Sequence, residues 1–292
     1  MSVSLPHVTA RAGVARRVRH GATLRAARRL NRASAVLATS VLLDSAVEHD
    51  RGSFTNRAMY TPLIVSALTL AISAHGTADK RPAAHRARQA VYAAGAATGL
   101  LGTAFHLYNV LKRPSAWTWQ NLFYGAPLGA PMAILLAGLL GTAAEAVRDN
   151  PPHRARVLGF SAGRLLSAIS GLGMSGTTGE AGLLHFRGAF HNPAMLALVT
   201  IPPVGAALLL NAASGPKDRN RWLARWWLRL VAWMGIAGVG FHIWGVQRAM
   251  GGWSNWRQNL IDGPPIPAPP SFSGLALAGL AALGLLDDHP DG

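Results

Sequence analysis

His49-Asp50-Arg51-Gly52-Ser53-Phe54-Thr55-Asn56-Arg57-Ala58-Met59 returns later in the chain as His185-Phe186-Arg187-Gly188-Ala189-Phe190-His191-Asn192-Pro193-Ala194-Met195. Seven of the eleven positions are identical, without a gap, at an offset of 136 residues. Carried forward, that offset sets Phe105-His106 on Phe241-His242, Gly99 and Gly102 on Gly235 and Gly238, Val110 on Val246, and Trp117 on Trp253. After a two-residue insertion, Asn121, Gly125, Pro127 and Pro131 fall on Asn259, Gly263, Pro265 and Pro269. Carried backward, it pairs Asp44 with Glu180. Self-similarity held over this length reads as a tandem duplication of one structural unit.

The charges define what that unit is. Stretches free of Asp, Glu, Lys and Arg cover residues 58–78, 89–111, 114–144, 188–216, 230–247 and 263–286. Each holds an Ala-, Leu-, Val- and Gly-rich segment long enough to cross a hydrocarbon core of about 30 Å at about 1.5 Å per helical residue. Two more apolar runs, residues 33–46 and 157–184, are interrupted by Asp44 in the first and by Arg164 and Glu180 in the second. Counting them gives eight spans, four per copy. The mean hydropathy of +0.22 is low for such a protein because basic connectors and Gly/Pro-rich loops dilute it.

Orientation follows from the cations, because short basic loops resist translocation. The tail to Arg32 and the loops at residues 80–88, 148–156 and 217–229 carry 20 Lys and Arg, and the alternate loops carry seven. Both termini are therefore expected in the cytoplasm, and the net charge of +16 is a topology signal rather than a nucleic-acid footprint. An even number of spans inserts both copies the same way up, related by a pseudo-two-fold axis along the membrane normal. The expectation is an all-α integral membrane protein of eight transmembrane helices in two parallel four-helix repeats. Its divisions are a basic cytoplasmic tail at residues 1–32, repeat one at 33–146 and repeat two at 157–288. The weight of Ala, Arg, Gly and Leu suits a bacterium of high genomic GC content, which makes the inner membrane the expected location and the lipid bilayer the first partner.

With no cysteine among 292 residues, disulfide scaffolds and thiolate metal sites are excluded. Phosphate-binding loops, nucleophile elbows and zinc-protease motifs are absent as well. What stands out is a set of four matched histidines, His49, His106, His185 and His242, at the outer, periplasmic ends of the outward-running spans. Imidazole is a ligand for haem and for Zn, Cu, Fe or Mn, and a pair on neighbouring helices can hold one haem inside a bundle. The glycines before His106 and His242 leave room for a flat macrocycle, Arg51 and Arg187 suit propionates, and Trp117 and Trp253 with Asn56 and Asn192 complete the rim. Each feature has a plainer use: glycine stripes pack helices, Trp anchors at the interface, and Arg and Asn organise a turn. Asp44 and Glu180 lie within apolar spans, where ionisable groups are costly and face a partner, a cavity or a proton path.

Three functions fit a chain with no soluble domain and one polar, His-rich rim. The first is a membrane redox subunit that holds haem b, another metal or a quinone near the periplasmic face. It relays electrons between a periplasmic oxidoreductase or cytochrome and the quinone pool, with Asp44 and Glu180 carrying protons. The second is a small-solute or ion transporter or channel along the repeat axis, and the third a scaffold that docks a periplasmic partner. No nucleic-acid role is expected.

Overall fold

The structure, a computed structural model, describes residues 7–148, 150–151, 154–214 and 221–287, with side chains from Gly21 onward. Eight long helices carry the fold: α1 (His7–Arg51), α2 (Thr61–Ala78), α3 (Arg86–Leu111), α5 (Gly129–Arg148), α6 (Ala162–Arg187), α7 (Ala197–Ser214), α8 (Arg221–Arg248) and α10 (Pro270–Asp287). Two short ones, α4 (Trp119–Tyr124) and α9 (Trp256–Asp262), lie just before α5 and α10. Six helical segments are long and apolar enough to cross a membrane: Arg57–Ala78, Arg86–Leu111, Gly129–Arg148, Pro193–Ser214, Arg221–Arg248 and Pro270–Asp287. They coincide with the six charge-free stretches. Helices α1 and α6, interrupted by charge, have the length but not the apolarity. The chain is thus all-α, with the composition of a membrane protein.

Two boundaries differ from the sequence reading. Helix α1 runs without a break through residue 32, and Thr23, Ala27, Leu30 and Asn31 are fully buried, so the end of the basic tail is part of the packed body. Arginines at 25, 28, 29 and 32 hid an apolar stripe of helical spacing on the opposite face. The apolar run expected to start a span at residue 157 begins instead as a hairpin, β1 (Arg156–Val157) antiparallel to β2 (Phe160–Ser161). Its two-residue turn has positive φ at Leu158 (51°) and Gly159 (82°), the geometry that closes a tight hairpin.

Packing arranges the helices as two rings of four. In the first half α1, α2, α3 and α5 pack in that cyclic order, so α1 and α3 stand diagonally; in the second half α6, α7, α8 and α10 do the same, with α6 and α8 diagonal. The halves meet chiefly where α1 packs along α10, while α5 touches α6 only lightly. One apolar core, including Leu30, Leu37, Leu140, Leu166 and Leu285, joins α1, α5, α6 and α10 across that seam. A second, including Leu209, Leu228, Leu275 and Leu283, fills the second ring. Helices α5 and α10 are the most enclosed; α2, α3, α7 and α8 expose most of their apolar surface.

Close approach depends on the glycines. A Cβ on Gly99 would lie 2.2 Å from Leu135 N, and one on Gly138 would lie 2.4 Å from Ala96 N, so α3 and α5 touch backbone to backbone. Gly235 approaches Ser273 of α10 and the carbonyl of Pro269 just before it, and Gly238 packs on the Pro269 ring. At these positions the glycines serve helix contact.

Candidate functional site

The matched stretches fold into matched corners. Helices α1 and α6 both end in a left-handed pair, Ser53 and Phe54 (φ 55° and 45°) and Ala189 and Phe190 (58° and 45°). Non-glycine residues avoid that region, so something must hold them there. Phe54 N–H donates to His49 O (3.0 Å) and Phe190 N–H to His185 O (3.1 Å), locking each corner to its histidine. The Asn56 and Asn192 side chains then accept from the N–H groups of Ala58 and Ala194, both at 2.9 Å, capping a short 3-10 turn. Both asparagines are turn-builders. Asn121 and Asn259 repeat the theme, each donating to two carbonyls of the preceding loop.

All four imidazoles sit near these ends, and each Nδ1 faces a main-chain carbonyl: Met59 O for His49 (2.6 Å), Pro127 O for His106, Ala181 O for His185 (2.7 Å) and Pro265 O for His242 (2.7 Å). A carbonyl only accepts, so Nδ1 carries the proton in every case. That fixes the tautomer in which Nε2 presents its lone pair, the same second bond that orients metal-ligating histidines. The rings group by half. His185 and His242, from the diagonal helices α6 and α8, have ring centroids 6.2 Å apart with planes at 37°. His49 and His106 stand on the diagonal helices α1 and α3.

Among the described residues no three His, Asp or Glu converge as a metal cage. Of the four imidazoles expected from the sequence as a ligand set, His185 and His242 are the two in ring contact. The offset equates positions in the two halves, which meet at the α1–α10 seam.

Arg51 and Arg187 act across that seam. Arg51 donates to Ile261 O at the end of α9 and pairs with Glu48 at 3.0 Å. Arg187 donates to Phe123 O in α4 at 3.1 Å and lies 4.9 Å from the centre of the Tyr124 ring. Each arginine thus grips the short helix of the other half, at positions that themselves correspond. Trp117 and Trp253 are exposed, by 61% and 45%, which suits anchoring at a bilayer interface rather than enclosing a ring.

The two acids differ in their surroundings. Glu180 accepts from Gly129 N–H (2.8 Å), a donor at the N-terminus of α5 that favours the carboxylate. The residue corresponding to Gly129 is Pro267, which has no N–H to offer Asp44. Asp44 lines a cleft of about 270 Å³ between α1 and the Gly263–Pro267 segment.

Sequence reasoning missed a buried charge cluster at the opposite end. Arg88, Glu145 and Arg148 are completely enclosed, with 0% of each exposed. Arg88 bridges Glu145 and Asp79, both at 2.8 Å, and Arg148 donates to Gly76 O (2.7 Å), Asp79 O and Arg81 O (both 3.0 Å). A polar column continues inward: Tyr92 donates to Asn31, Ser73 contacts Tyr92 (3.2 Å) and Ser34 (3.0 Å), and Ser34 bonds Ala137 O (2.8 Å). Among the described residues of the second half, Ser167 and Ser170 are the buried polar counterparts of Asn31 and Ser34, and the charges have none. Ala224, Leu228, Leu283 and Leu286 occupy the corresponding positions and are buried too. The missed signal lay in the repeat itself, since these charges have apolar mates.

Asp79, in the loop after α2, is held well below the usual carboxylate range by hydrogen bonds from Arg81 and then Arg88, which outweigh its desolvation. A depressed folded pKa contributes stability above the unfolded value and loses it as pH falls towards the folded one. The stability gap between wild type and Asp79→Asn is therefore expected at full size from pH 7 down to about 3.9 and to shrink below it, read from unfolding midpoints across pH. A gap that narrows already between pH 7 and 5 contradicts this.

Comparison of the chain with protein-family models, curated proteins and solved structures finds no match.

Proposed function

We propose that this chain is a redox subunit of the bacterial inner membrane. In this reading all eight long helices cross the bilayer, as two four-helix repeats standing the same way up about a pseudo-two-fold axis along the membrane normal. Both termini are cytoplasmic and the histidine end is periplasmic. Hydrogen bonds recurring 136 residues apart support the repeat, and the distribution of Lys and Arg supports the orientation.

His185 and His242 would hold a metal centre, and haem b suits them better than a bare ion. A structural zinc needs four protein ligands and a catalytic one three, whereas a haem would ask the protein for no more than two. Two imidazoles from diagonal helices of one bundle, each turned by an Nδ1–H bond so that Nε2 is the coordinating nitrogen, meet that requirement. This is the observation that carries the reading. Such a centre would relay electrons between a periplasmic oxidoreductase or cytochrome and the quinone pool.

The test is the absorption spectrum of the protein purified after expression with excess haem precursor. A reduced-minus-oxidised difference of b type is expected, and His185→Ala or His242→Ala removes it. A colourless protein overturns the haem assignment, and a preparation also free of metal by elemental analysis overturns the redox reading.

A further inference from the structure

The cleft beside Asp44 is lined by Leu43, Val47, Leu260 and Ile266 together with Asp44, Glu48 and Arg51. Three of the five residues from Gly263 to Pro267 are proline, so its wall is apolar and poor in N–H donors. Arg51 is already engaged by Glu48 and by Ile261 O. Asp44 makes no hydrogen bond or ion pair with a described residue, and its other charged neighbours, Glu48 and Glu180, are themselves acidic. Its counterpart Glu180 is satisfied by Gly129 N–H. An unpaired carboxyl in apolar surroundings is costly unless something donates to it.

We propose that this cleft binds a lipid-soluble ligand with an apolar body and one hydrogen-bond-donating head, received by the Asp44 carboxylate. Two sources carry that chemistry in a membrane, a quinol through its hydroxyl and a long-chain primary amine through its ammonium. The site rests on the membrane reading above, through which the ligand arrives, and is independent of haem. It is also asymmetric, because Pro267 and Gly129 differ at the one atom that decides which acid is free.

Calorimetric titration of the full-length protein in nanodiscs with decylubiquinol, kept reduced, and separately with decylamine tests it. One of the two binds with a stoichiometry of one, and Asp44→Asn weakens that binding at least tenfold while Glu180→Gln leaves it within twofold. Val47→Trp, which adds bulk at the cleft wall and leaves the carboxyl in the chain, abolishes it, so the outcome stands even where the Asp44 variant folds poorly. Binding by neither compound, or binding unchanged in both Asp44→Asn and Val47→Trp, overturns the proposal. Tight binding of decylubiquinol identifies the quinol source; tight binding of decylamine identifies the amine. The same titration, read beside the colour of the wild-type protein, separates the two claims: a red protein that binds neither compound loses this site alone, and a colourless one that binds keeps it.

Discussion

Glu145→Leu alone is expected to cost about 3–5 kcal/mol, because it strands the buried Arg88 and Arg148 guanidinium groups without their shared carboxylate. The triple change Arg88→Ala, Glu145→Leu, Arg148→Leu is expected to recover more than half of that loss. The second half supplies the template. At the corresponding positions it carries Ala224, Leu283 and Leu286, exposed by 3%, 0% and 1%, packed in the second apolar core. Removing one partner leaves a desolvated charge; replacing the three enclosed groups with fitting apolar ones removes theirs, and Asp79 keeps Arg81 while losing Arg88. Recovery stays incomplete, because Gly76 O and the His85 N–H lose the partners that Arg148 and Glu145 gave them. Unfolding midpoints in one detergent measure both variants. A triple variant no more stable than the single one would show that the cluster does more than cancel its own charge.

The second large effect is expected at Gly99. In Gly99→Ala the new Cβ meets Leu135 N at 2.2 Å, Leu135 Cα at 2.6 Å and Pro131 O at 2.7 Å, all backbone of α5, so no side-chain rotation relieves it. Helices α3 and α5 must move apart along a contact made without a hydrophobic force between helices, where dispersion depends on close approach. A loss of about 2–3 kcal/mol follows from overpacking of this kind. Gly235→Ala should cost less, since the nearest atom is the movable Ser273 Oγ at 2.3 Å and the nearest backbone atom is Pro269 O at 2.8 Å. Gly240→Ala meets nothing within 4 Å and should be neutral or stabilising by up to about 1 kcal/mol from helix propensity. The three are compared by thermal unfolding under identical conditions. Tolerance of Gly99→Ala equal to that of Gly240→Ala would mean that α3 and α5 are not in backbone contact.

Much of this was legible in one dimension. An apolar run of helical length needs no partner to be recognised, so the six most apolar helices were visible as gaps between charges. The offset located the four histidines, the two arginines and the two asparagines at equivalent corners. It did not say what they touch. Asn56 and Asn192 looked like rim groups and are caps; Arg51 and Arg187 looked like anion partners and clamp the opposite half. Those roles depend on residues 64 and 210 positions away along the chain for the arginines, and no local pattern encodes such a distance.

The buried cluster was hidden for a different reason. Arg88 and Arg148 sit where cytoplasmic cations are expected, and a charge counted towards topology is indistinguishable in sequence from one enclosed in the protein. Only the fold distinguishes them, by bringing α3 to α5 closely enough that both are sealed from solvent.

Composition and periodicity by themselves determined that this chain is helical and apolar enough for a membrane, because each of those properties is a sum over neighbours in sequence. The tertiary structure decided which imidazole faces which, which acid keeps a donor and which charges lose water. Those outcomes turn on gaps of a few ångströms between helices, set by whether glycine, proline or leucine stands at the contact.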